Sequence, residues 1–386
     1  MTSDSPLSAD LASCEDGLFS LLERLVTVQS GSHNKHGVDQ VADLVQSEFS
    51  DMPVSCQRMD QRKWGDHLVV RTPAAAAGEP KVLVVGHMDT VFPKETAFTE
   101  YREDRERAYG PGVIDMKGGL VAGIFALKAL DRAGLLTALP LTFVFNSDEE
   151  VGSPSSRDLI RKEARRSVCA FVLEAAGIQG EVVTARKGNL SFTMTTRGVA
   201  GHAAFAGSDK SSAILEMAHH ILALEALNDP DAGISVNVGT IQGGMGANTI
   251  PPDATADVDV RFRRAVDGQA VQQRIKQILD RRMSPNGEAS YTIRSTRPAM
   301  PEEANLSLFD AVAKTARRLG IVIQKEFRAG VSDANLVAAE GTPVLDGLGP
   351  AGGRDHSPDE YMLKATLLPR TQLLAEAILD CWREFG

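Results

Sequence analysis

Short apolar runs alternate with amphipathic segments along most of this chain. Three runs rich in Val, Leu and Phe are too short for helices and predict buried strands over residues 81–85, 141–145 and 168–173. Each run ends at polar or acidic residues, and apolar positions at helical spacing follow, as in 120–130. Because strand and helix alternate in this way, the pattern predicts an α/β protein with a doubly wound, mostly parallel sheet.

A different pattern begins near residue 186. Apolar and polar residues alternate there as in strands with one exposed face, and helical runs separate them. The strands are predicted at 191–197, 234–241, 254–262 and 291–295, and the helices at 211–227 and 268–283. This β-α-β-β-α-β order predicts a small α+β domain of the ferredoxin-like type. We expect it to be inserted, as residues 188–297, into a catalytic domain made of 1–187 and 298–386.

Both ends of the chain add helices to the larger domain. Apolar residues at helical spacing predict opening helices over 7–28 and 38–49 and later helices over 306–319 and 368–382. The segment 72–80 is rich in Pro, Ala and Gly, and it predicts a surface turn or a hairpin before the strand at 81.

Composition and charge narrow the possible functions. The chain has 386 residues, more than one ordinary core contains, which agrees with two domains. Hydrophobic residues make up 43% and charged residues 24%, as in soluble globular proteins. The formal net charge of -10 argues against nucleic acid or an acidic membrane surface as a partner.

The cysteines and the first residues bear on the cellular compartment. The four cysteines are scattered without a CxxC pair, so reduced thiols are expected and disulfides are not. The first six residues are polar and acidic, and no run of about 18 apolar residues follows, so we expect neither a signal peptide nor a membrane span. The sequence thus predicts a cytoplasmic protein.

Two residues able to bind a metal lie between the strand predicted at 81–85 and the helix predicted at 120–130. His87 comes just after the strand at 81–85, and Asp115 lies in a Gly-rich turn before the helix at 120–130. Ligands of open α/β sheets bind at the carboxyl ends of the strands. An imidazole and a carboxylate there suit a divalent ion such as zinc. Taken singly, His87 is better explained as a loop histidine and Asp115 as a helix cap.

Further candidates lie in the same domain. Glu149 and Glu150 follow the second strand, Glu174 follows the third, and His356 lies in a loop near the end of the chain. Successive residues leave a strand end in different directions, so one acid of the pair can bind a metal while the other faces a substrate water. The alternative for the acids 148–150 is a helix-cap region at the surface.

Four segments, in this order and spacing, resemble a family of dinuclear zinc hydrolases that includes glutamate carboxypeptidase, aminoacylase and succinyl-diaminopimelate desuccinylase. They are 86–91, 110–119, 147–150 and 356–357, and the likeness runs from about residue 83 onward. The resemblance implies two zinc ions per subunit, in sites that cobalt or manganese could also fill. The implied ligands are His87 and Glu174 on one ion, Glu150 and His356 on the other, and Asp115 bridging both.

The same resemblance implies roles for two residues that do not bind the ions. Asp89 would orient His87 and fix its tautomer. Glu149 would be the general base, which takes a proton from the attacking water and gives it to the leaving amine. Family members carry either Asp or Glu where this chain has Glu174.

In the inserted domain, the segment 198–203 resembles the family segment in which a histidine reaches into the active site of the partner subunit. His202 would then stabilise the oxyanion, and activity would depend on a homodimer formed through this domain. The alternative is a turn residue that follows a strand.

Three residues of the inserted domain are candidates for binding a carboxylate of the substrate. Asn248 lies in a Gly-rich loop, Arg261 ends a strand, and Arg297 follows the last strand. An arginine can bind a carboxylate through two parallel hydrogen bonds. By resemblance, Asn248 and Arg261 hold the terminal carboxylate, with Arg297 as a further candidate. The alternative, a surface ion pair, applies above all to Arg297.

The leading interpretation is a zinc-dependent exopeptidase, similar to glutamate carboxypeptidase, that cleaves a C-terminal amino acid from a small peptide or an N-acyl amino acid. An aminoacylase or deacetylase would share every catalytic residue, so this alternative stays open. A non-catalytic binding protein on the same scaffold is a more distant alternative. Such a protein is expected to have lost a metal ligand or the general base, whereas this chain keeps all of the implied ligands and the base.

Overall fold

Residues 6–78 and 81–386, which the computed structural model describes, form eleven α-helices and eighteen strands. The helices, α1 to α11 in chain order, are Pro6–Ala12, Glu15–Val26, Lys35–Ser47, Pro73–Ala76, Gly118–Arg132, Arg157–Ala164, Ala213–Glu225, Ala265–Leu279, Leu306–Arg318, Ala334–Ala338 and Lys364–Phe385. The strands, β1 to β18, are Ser55–Met59, His67–Arg71, Lys81–His87, Arg102–Glu103, Arg107–Tyr109, Leu141–Asn146, Ser167–Val172, Glu181–Arg186, Gly188–Arg197, Gly201–His202, Ser235–Gly243, Thr249–Ile250, Asp253–Phe262, Glu288–Arg297, Gln324–Arg328, Val344–Leu345, Gly352–Gly353 and Tyr361–Leu363.

The chain divides into two units. The second unit is Arg186–Pro301 with Ala329–Val331, and the first is the rest of the chain. The predicted insert, 188–297, lies inside the second unit. Residues 1–5, on which the expectation of no signal peptide partly rests, and residues 79–80, the end of the predicted turn, lie outside the described residues. Among the helices of the described residues, none has both the length and the apolar character needed to cross a membrane.

The first unit contains a six-stranded mixed sheet in the order β1-β2-β6-β3-β7-β16. Its last four strands run parallel, whereas β2 is antiparallel to β6 and β1 is antiparallel to β2. Every residue of β3 and β6 is buried, so both faces of the sheet are covered, which explains their continuous apolar sequences. The predicted α/β sheet is confirmed. Strand β1 was not predicted, because its residues are polar and partly exposed.

The winding of this sheet reverses at β3, since β6 lies on one side of β3 and β7 on the other. His87, the last residue of β3, pairs with Asn146, the last residue of β6. Val85 of β3 pairs with Val172, the last residue of β7. The carboxyl ends of the three strands are therefore almost level, and this is where ligands bind in such sheets.

Two of the predicted elements near the start of the chain differ from the structure. The single helix predicted over 7–28 is two helices, α1 and α2. The Ser13 hydroxyl donates a 2.7 Å hydrogen bond to the Asp10 carbonyl, a local bond that competes with continuing the helix. The segment predicted as a turn or hairpin contains the short helix α4, which Thr72 caps by accepting the Ala75 N–H.

A second sheet of the first unit joins early and late parts of the chain, in the order β17-β18-β5-β4. Tyr361 in β18 pairs with Tyr109 in β5, and Gly353 in β17 pairs with Tyr361. Strand β5 leads into the turn of Asp115, and His356 lies in the connection between β17 and β18. This sheet therefore brings the two segments together. Strands of two or three residues show no readable period, so the sequence did not predict it.

The second unit has a four-stranded antiparallel sheet in the order β11-β13-β9-β14. Helix α7 follows β9 and α8 follows β13, which gives the β-α-β-β-α-β order of a ferredoxin-like fold. Buried and partly exposed residues alternate along β13, and its buried positions join the core of this unit. The opposite face of the sheet is polar.

Candidate metal centre

Asp115 lies at the centre of a cluster of imidazoles and carboxylates in the first unit. Its Oδ1 is 3.1 Å from His87 Nε2, and its Oδ2 is 3.1 Å from His356 Nε2. His356 has a φ of 60°, a left-handed conformation that is uncommon for a non-glycine residue. One carboxylate thus faces two imidazoles, each through a separate oxygen.

Each of the two histidines has a second carboxylate beside it. Glu174 Oε1 lies 3.7 Å from His87 Nε2, and Glu150 Oε2 lies 3.4 Å from His356 Nε2. Glu174 comes two residues after β7, and Glu150 lies in the turn that follows β6. The level ends of the parallel strands therefore explain why these side chains meet. They form two pairs, His87 with Glu174 and His356 with Glu150, next to Asp115.

Asp89 connects the loop of His87 to the loop of the two glutamates. His87 Nδ1 is 3.0 Å from the carbonyl oxygen of Asp89 and 3.4 Å from its Oδ1. The carboxylate also accepts the Ser32 hydroxyl at 2.7 Å and the N–H groups of Glu149 and Glu150 at 3.2 and 3.3 Å. Because Nδ1 faces only acceptors, it holds the proton in a neutral ring, and Nε2 then presents its lone pair to the cluster.

Burial and mutual repulsion shift the pKa values of the cluster. Burial, followed by the charge of Asp115, raises the pKa of Glu150 to about 7 and that of Glu174 well above its ordinary value. Hydrogen bonds to Asp115 and Glu150 raise the pKa of His356 to about 11. Burial opposes the charged form of His87, yet hydrogen bonds to two carboxylates raise its pKa overall. These shifts have one cause: several carboxylates are buried close together, which favours the protonated forms of the acids and of the histidines beside them.

The chemistry of these donors fits divalent cations. Glu150 Oε1 is buried and has no hydrogen-bond partner among the described residues, although a buried carboxylate oxygen without a partner is costly. Imidazole nitrogens and carboxylate oxygens are ligands for zinc, cobalt and manganese. Within the described part of the chain, three groups of side chains have ligand atoms within 4.8 Å of one another: His87, Glu149 and Glu174; His87, Asp115 and Glu150; and Asp115, Asp355 and His356. Asp355, which is exposed, was not predicted from the sequence.

The first acid of the triplet 148–150 has a structural role. Asp148 is fully buried, and its carboxylate accepts the Ser155 N–H at 2.6 Å, the Ser155 hydroxyl at 2.7 Å and the Ser156 hydroxyl at 2.5 Å. These bonds fold the loop back on the end of β6. The alternative of an acidic cap region at the surface is therefore wrong for Asp148, and the loop holds Glu149 and Glu150 directly after a fixed residue.

Glu360 supports the turn of Asp115 and was missed in the sequence. Its buried carboxylate accepts the N–H groups of Gly112 at 3.1 Å, Ile114 at 2.9 Å and Asp115 at 3.1 Å. Burial raises the pKa of Glu360 to about 7. The one signal in the sequence is an acid four residues after His356, which is weak without the structure. A single side chain from the end of the chain thus holds three backbone donors of this turn.

In the second unit, His202 and Asn248 lie on paired segments. His202 in β10 pairs with Thr249 in β12, and the Ala203 N–H donates to the carbonyl oxygen of Asn248 at 2.9 Å. The His202 ring is exposed, and its Nδ1 accepts the Ala204 N–H at 3.1 Å. In the neutral ring the proton is therefore on Nε2, which can act as a donor.

The two predicted arginines lie at the other end of the same sheet. Arg261 in β13 and Arg297 in β14 both pair with Asn189 in β9, so the three residues share one face. Asn248 lies in the loop that joins β11 to β13, which begins at Asp253. The nine residues from Asp253 to Arg261 span about 27 Å of extended strand. The structure thus brings the arginines together and places Asn248 far from both within one chain.

Their environments reverse the expectation from the sequence. Arg261 Nε binds Asp259 Oδ2 at 2.8 Å, and its side chain is 29% exposed, so Arg261 forms the partly exposed ion pair. Arg297 is only 1% exposed. The expectation that a surface ion pair applies above all to Arg297 is therefore wrong.

Comparison with known proteins identifies the class to which this fold and cluster belong. Residues 83–380 match peptidase family M20/M25/M40, and the chain belongs to this family. It is a hydrolase that acts on amide or peptide bonds. The family resemblance noted in the sequence is thereby confirmed.

Individual relatives are similar over nearly the whole chain. Carboxypeptidase G2 of Pseudomonas sp. (strain RS-16) is 27% identical over 371 residues, which cover 95% of this chain and 89% of that protein. Succinyl-diaminopimelate desuccinylase of Delftia acidovorans is 25% identical over 389 residues, which cover 94% of this chain and 98% of that protein. The crystal structure of aminopeptidase PepT from Bacillus cereus has a TM-score of 0.78 at 20% identity, and the match covers 95% of this chain and 98% of that structure. The last similarity shows a shared fold.

Proposed function

We propose that the protein is a metal-dependent exopeptidase that removes the C-terminal amino acid from a small peptide or an N-acyl amino acid. One observation carries the proposal: the Asp115 carboxylate lies 3.1 Å from both His87 Nε2 and His356 Nε2. A carboxylate between two imidazoles suits a pair of divalent ions. Similarity to carboxypeptidase G2 over 95% of the chain favours a carboxypeptidase over an aminoacylase or deacetylase.

The residues of the cluster would hold two zinc ions, and cobalt or manganese would fit the same donors. The assignment is His87 and Glu174 on one ion, Glu150 and His356 on the other, and Asp115 on both. When bound, the ions would polarise the scissile carbonyl and lower the pKa of the attacking water. The carbonyl oxygen of Asp89 accepts from His87 Nδ1 and so keeps Nε2 free of a proton for the metal.

Glu149 is the general base of the proposed reaction. Its N–H and that of Glu150 both donate to the carboxylate of Asp89, which fixes the position of the loop. The Glu149 carboxylate takes a proton from water while the water oxygen bonds to the carbonyl carbon. It then delivers this proton to the amide nitrogen as the carbon–nitrogen bond breaks. The products are a carboxylic acid and the free amino acid.

His202, Asn248 and the arginines would complete the site in a homodimer. His202 Nε2 would donate to the oxyanion, because Nδ1 already accepts the Ala204 N–H and the proton of the neutral ring is then on Nε2. Asn248 and Arg261 would bind the carboxylate of the substrate, Arg261 through its Nη groups because its Nε binds Asp259. Arg297 lies on the same face as Arg261. Because the strand from Asp253 to Arg261, about 27 Å long, lies between Asn248 and Arg261 in one chain, we expect the two residues that serve one substrate to come from different subunits.

The surface of the second unit supports such a homodimer. β11 is an edge strand of its sheet, and edge strands present backbone groups that can pair with another chain. Ile241 in β11 is 54% exposed, and Leu222 in the adjacent helix α7 is 71% exposed. Apolar side chains beside an open strand edge are typical of a protein–protein interface.

A hydrolysis screen of the zinc-loaded protein tests the proposal, with a chelator control for each reaction. The panel compares N-acetyl amino acids, dipeptides and benzoyl conjugates that end in Glu, Asp, Ala or Leu. We expect release of the C-terminal amino acid from dipeptides or larger conjugates, abolished by the chelator. Release from acetyl derivatives alone would identify an aminoacylase instead. No turnover with metal bound would refute the proposed reaction and favour a non-catalytic binding protein.

A further inference from the structure

A cavity of about 430 Å³ lies beside the candidate metal centre in the first unit. Its walls come from the segments 31–35 and 90–95 and from Glu150 and Val151. Glu150 Oε2 also lies 3.4 Å from His356 Nε2, so this side chain belongs to both the cavity and the cluster. The cavity therefore begins where the scissile carbonyl of a substrate would be held.

The two segments that wall the cavity are fixed to each other by backbone hydrogen bonds. The Thr90 N–H donates to the Ser30 carbonyl at 3.0 Å, and the Ser32 N–H donates to the Thr90 carbonyl at 3.1 Å. Gly31 lies between them in close contact, since a Cβ there would come within 2.0 Å of the Phe92 carbonyl oxygen. The cavity is thus formed in advance by a rigid pair of segments, as ligand sites usually are.

Several polar groups in these walls already have partners. Lys35 Nζ binds Asp66 at 2.7 Å and Asp39 at 2.9 Å. Asn34 Nδ2 donates to the Gln29 carbonyl at 2.6 Å. These side chains are therefore poorly placed to bind a charged ligand, because a ligand would have to replace bonds that the protein already makes.

The remaining exposed wall is mostly apolar or aromatic. Val91 is 37% exposed, and the ring of the exposed His33 lies 5.1 Å from the ring of Trp64, centroid to centroid. Lys94 and Glu95 are both exposed and carry opposite charges, so together they add no net charge. An uncharged group with apolar surface is therefore a better match for this cavity than a group that carries a carboxylate.

We infer that this cavity is the subsite for the acyl side of the substrate, and that it takes an uncharged acyl group with an apolar body much larger than acetyl. The inference rests on the proposed exopeptidase function, because that function places the scissile amide at the cluster. Cavities of roughly 300–1,000 Å³ hold whole small ligands. An acetyl group would leave most of the 430 Å³ empty, and a succinyl carboxylate would meet no net positive charge in the exposed wall, because Lys94 and Glu95 carry opposite charges.

The experiment compares N-acetyl, N-succinyl, N-hexanoyl and N-benzoyl derivatives of one amino acid, the one that the zinc-loaded protein releases best. We expect kcat/KM for the hexanoyl and benzoyl derivatives to exceed the acetyl and succinyl values by about tenfold or more. Benzoate should also inhibit at lower concentrations than acetate does. Equal or lower kcat/KM for the larger uncharged groups, or equal inhibition by the two acids, would overturn the inference.

Val91→Trp fills the cavity from its partly exposed wall. It should lower kcat/KM for the benzoyl derivative by about tenfold and for the acetyl derivative by a much smaller factor. Val322→Trp is the matched control, since it adds the same ring at a position of the first unit that is 71% exposed, and it should change neither value. A uniform loss for all acyl groups in Val91→Trp, or no loss, would overturn the inference.

Failure of the proposed function gives a different result. If the zinc-loaded parent protein releases no amino acid from any derivative, the exopeptidase assignment fails and the acyl subsite fails with it. If the parent hydrolyses the derivatives without any dependence on acyl size or on Val91, the exopeptidase stands and only the subsite is refuted.

Discussion

Glu360→Ala should weaken both the stability of the first unit and its affinity for metal. The carboxylate of Glu360 accepts three backbone N–H groups of the Asp115 turn, at 2.9 to 3.1 Å. Glu360 is fully buried, so alanine leaves three donors in the interior without their acceptor. Each such donor costs about 1–3 kcal/mol, and water entering the vacated space recovers part of this cost. We therefore expect the free energy of unfolding to fall by about 3–5 kcal/mol.

Glu360→Gln is a matched variant that keeps the volume of the side chain. Its amide oxygen can still accept the N–H groups of Ile114 and Asp115, which Oε1 accepts in the parent protein. Its NH2 group, however, would face the N–H of Gly112, so a donor would meet a donor. We expect a loss of about 1–3 kcal/mol, between the parent and the alanine variant.

Urea unfolding of the metal-free proteins measures the stability, and competition with a zinc-binding dye measures the affinity. Loss of a group that positions a ligand typically lowers metal affinity by about 10–100-fold, and we expect this for Glu360→Ala. Glu384→Ala is the control: it removes one partner of a 3.3 Å surface ion pair with Lys314 and should cost less than about 1 kcal/mol. Unchanged stability and zinc affinity in Glu360→Ala would refute the reasoning.

Three further experiments address other parts of the molecule. Glu149→Ala should bind as much zinc as the parent and lose about 10²–10⁴-fold in kcat; near-normal turnover would exclude Glu149 as the base. Mixing the Glu149→Ala and His202→Ala proteins should restore about a quarter of the parental activity, because half of randomly formed dimers are mixed and each has one intact site; no recovery would indicate that His202 acts within its own chain. Burial raises the pKa of Asp66, but hydrogen bonds from Lys35 and Arg58 lower it overall to about 2. The ionised form therefore stabilises the fold by about 2 kcal/mol at pH 7, and this contribution disappears as the pH falls toward 2. Asp66→Asn should lower the urea midpoint strongly at pH 7 and about half as much at pH 3; an equal loss at both pH values would contradict the assignment.

The location of the cluster could be predicted from the sequence, because the parallel strands that lead to it are short apolar runs that end at the site. Once 81–85, 141–145 and 168–173 are assigned to one parallel sheet, the residues after them must meet at one edge. The structure brings His87 and Glu174 to that edge as expected. Their roles as metal ligands stay predictions.

What the sequence did not predict depends on distant partners or on strand register. Glu360 contacts Asp115 across 245 residues, and no local pattern reveals such a contact. The proximity of Arg261 and Arg297, which both pair with Asn189, follows from the hydrogen-bond register of the second sheet, which alternation alone does not determine. The ion pair of Arg261 with Asp259 likewise depends on side-chain geometry along one strand.

The sheet of β17, β18, β5 and β4 makes the order of protein synthesis matter for this site. His356 comes 241 residues after Asp115, an interval that a ribosome needs on the order of tens of seconds to translate. Until β17 and β18 have been made, the turn of Asp115 lacks both His356 and Glu360. A growing chain that ends before these strands contains every other residue of the cluster but not His356. The proposed set of ligands is complete only after β17 and β18 have been made, so we expect an unfinished copy that lacks His356 to be inactive.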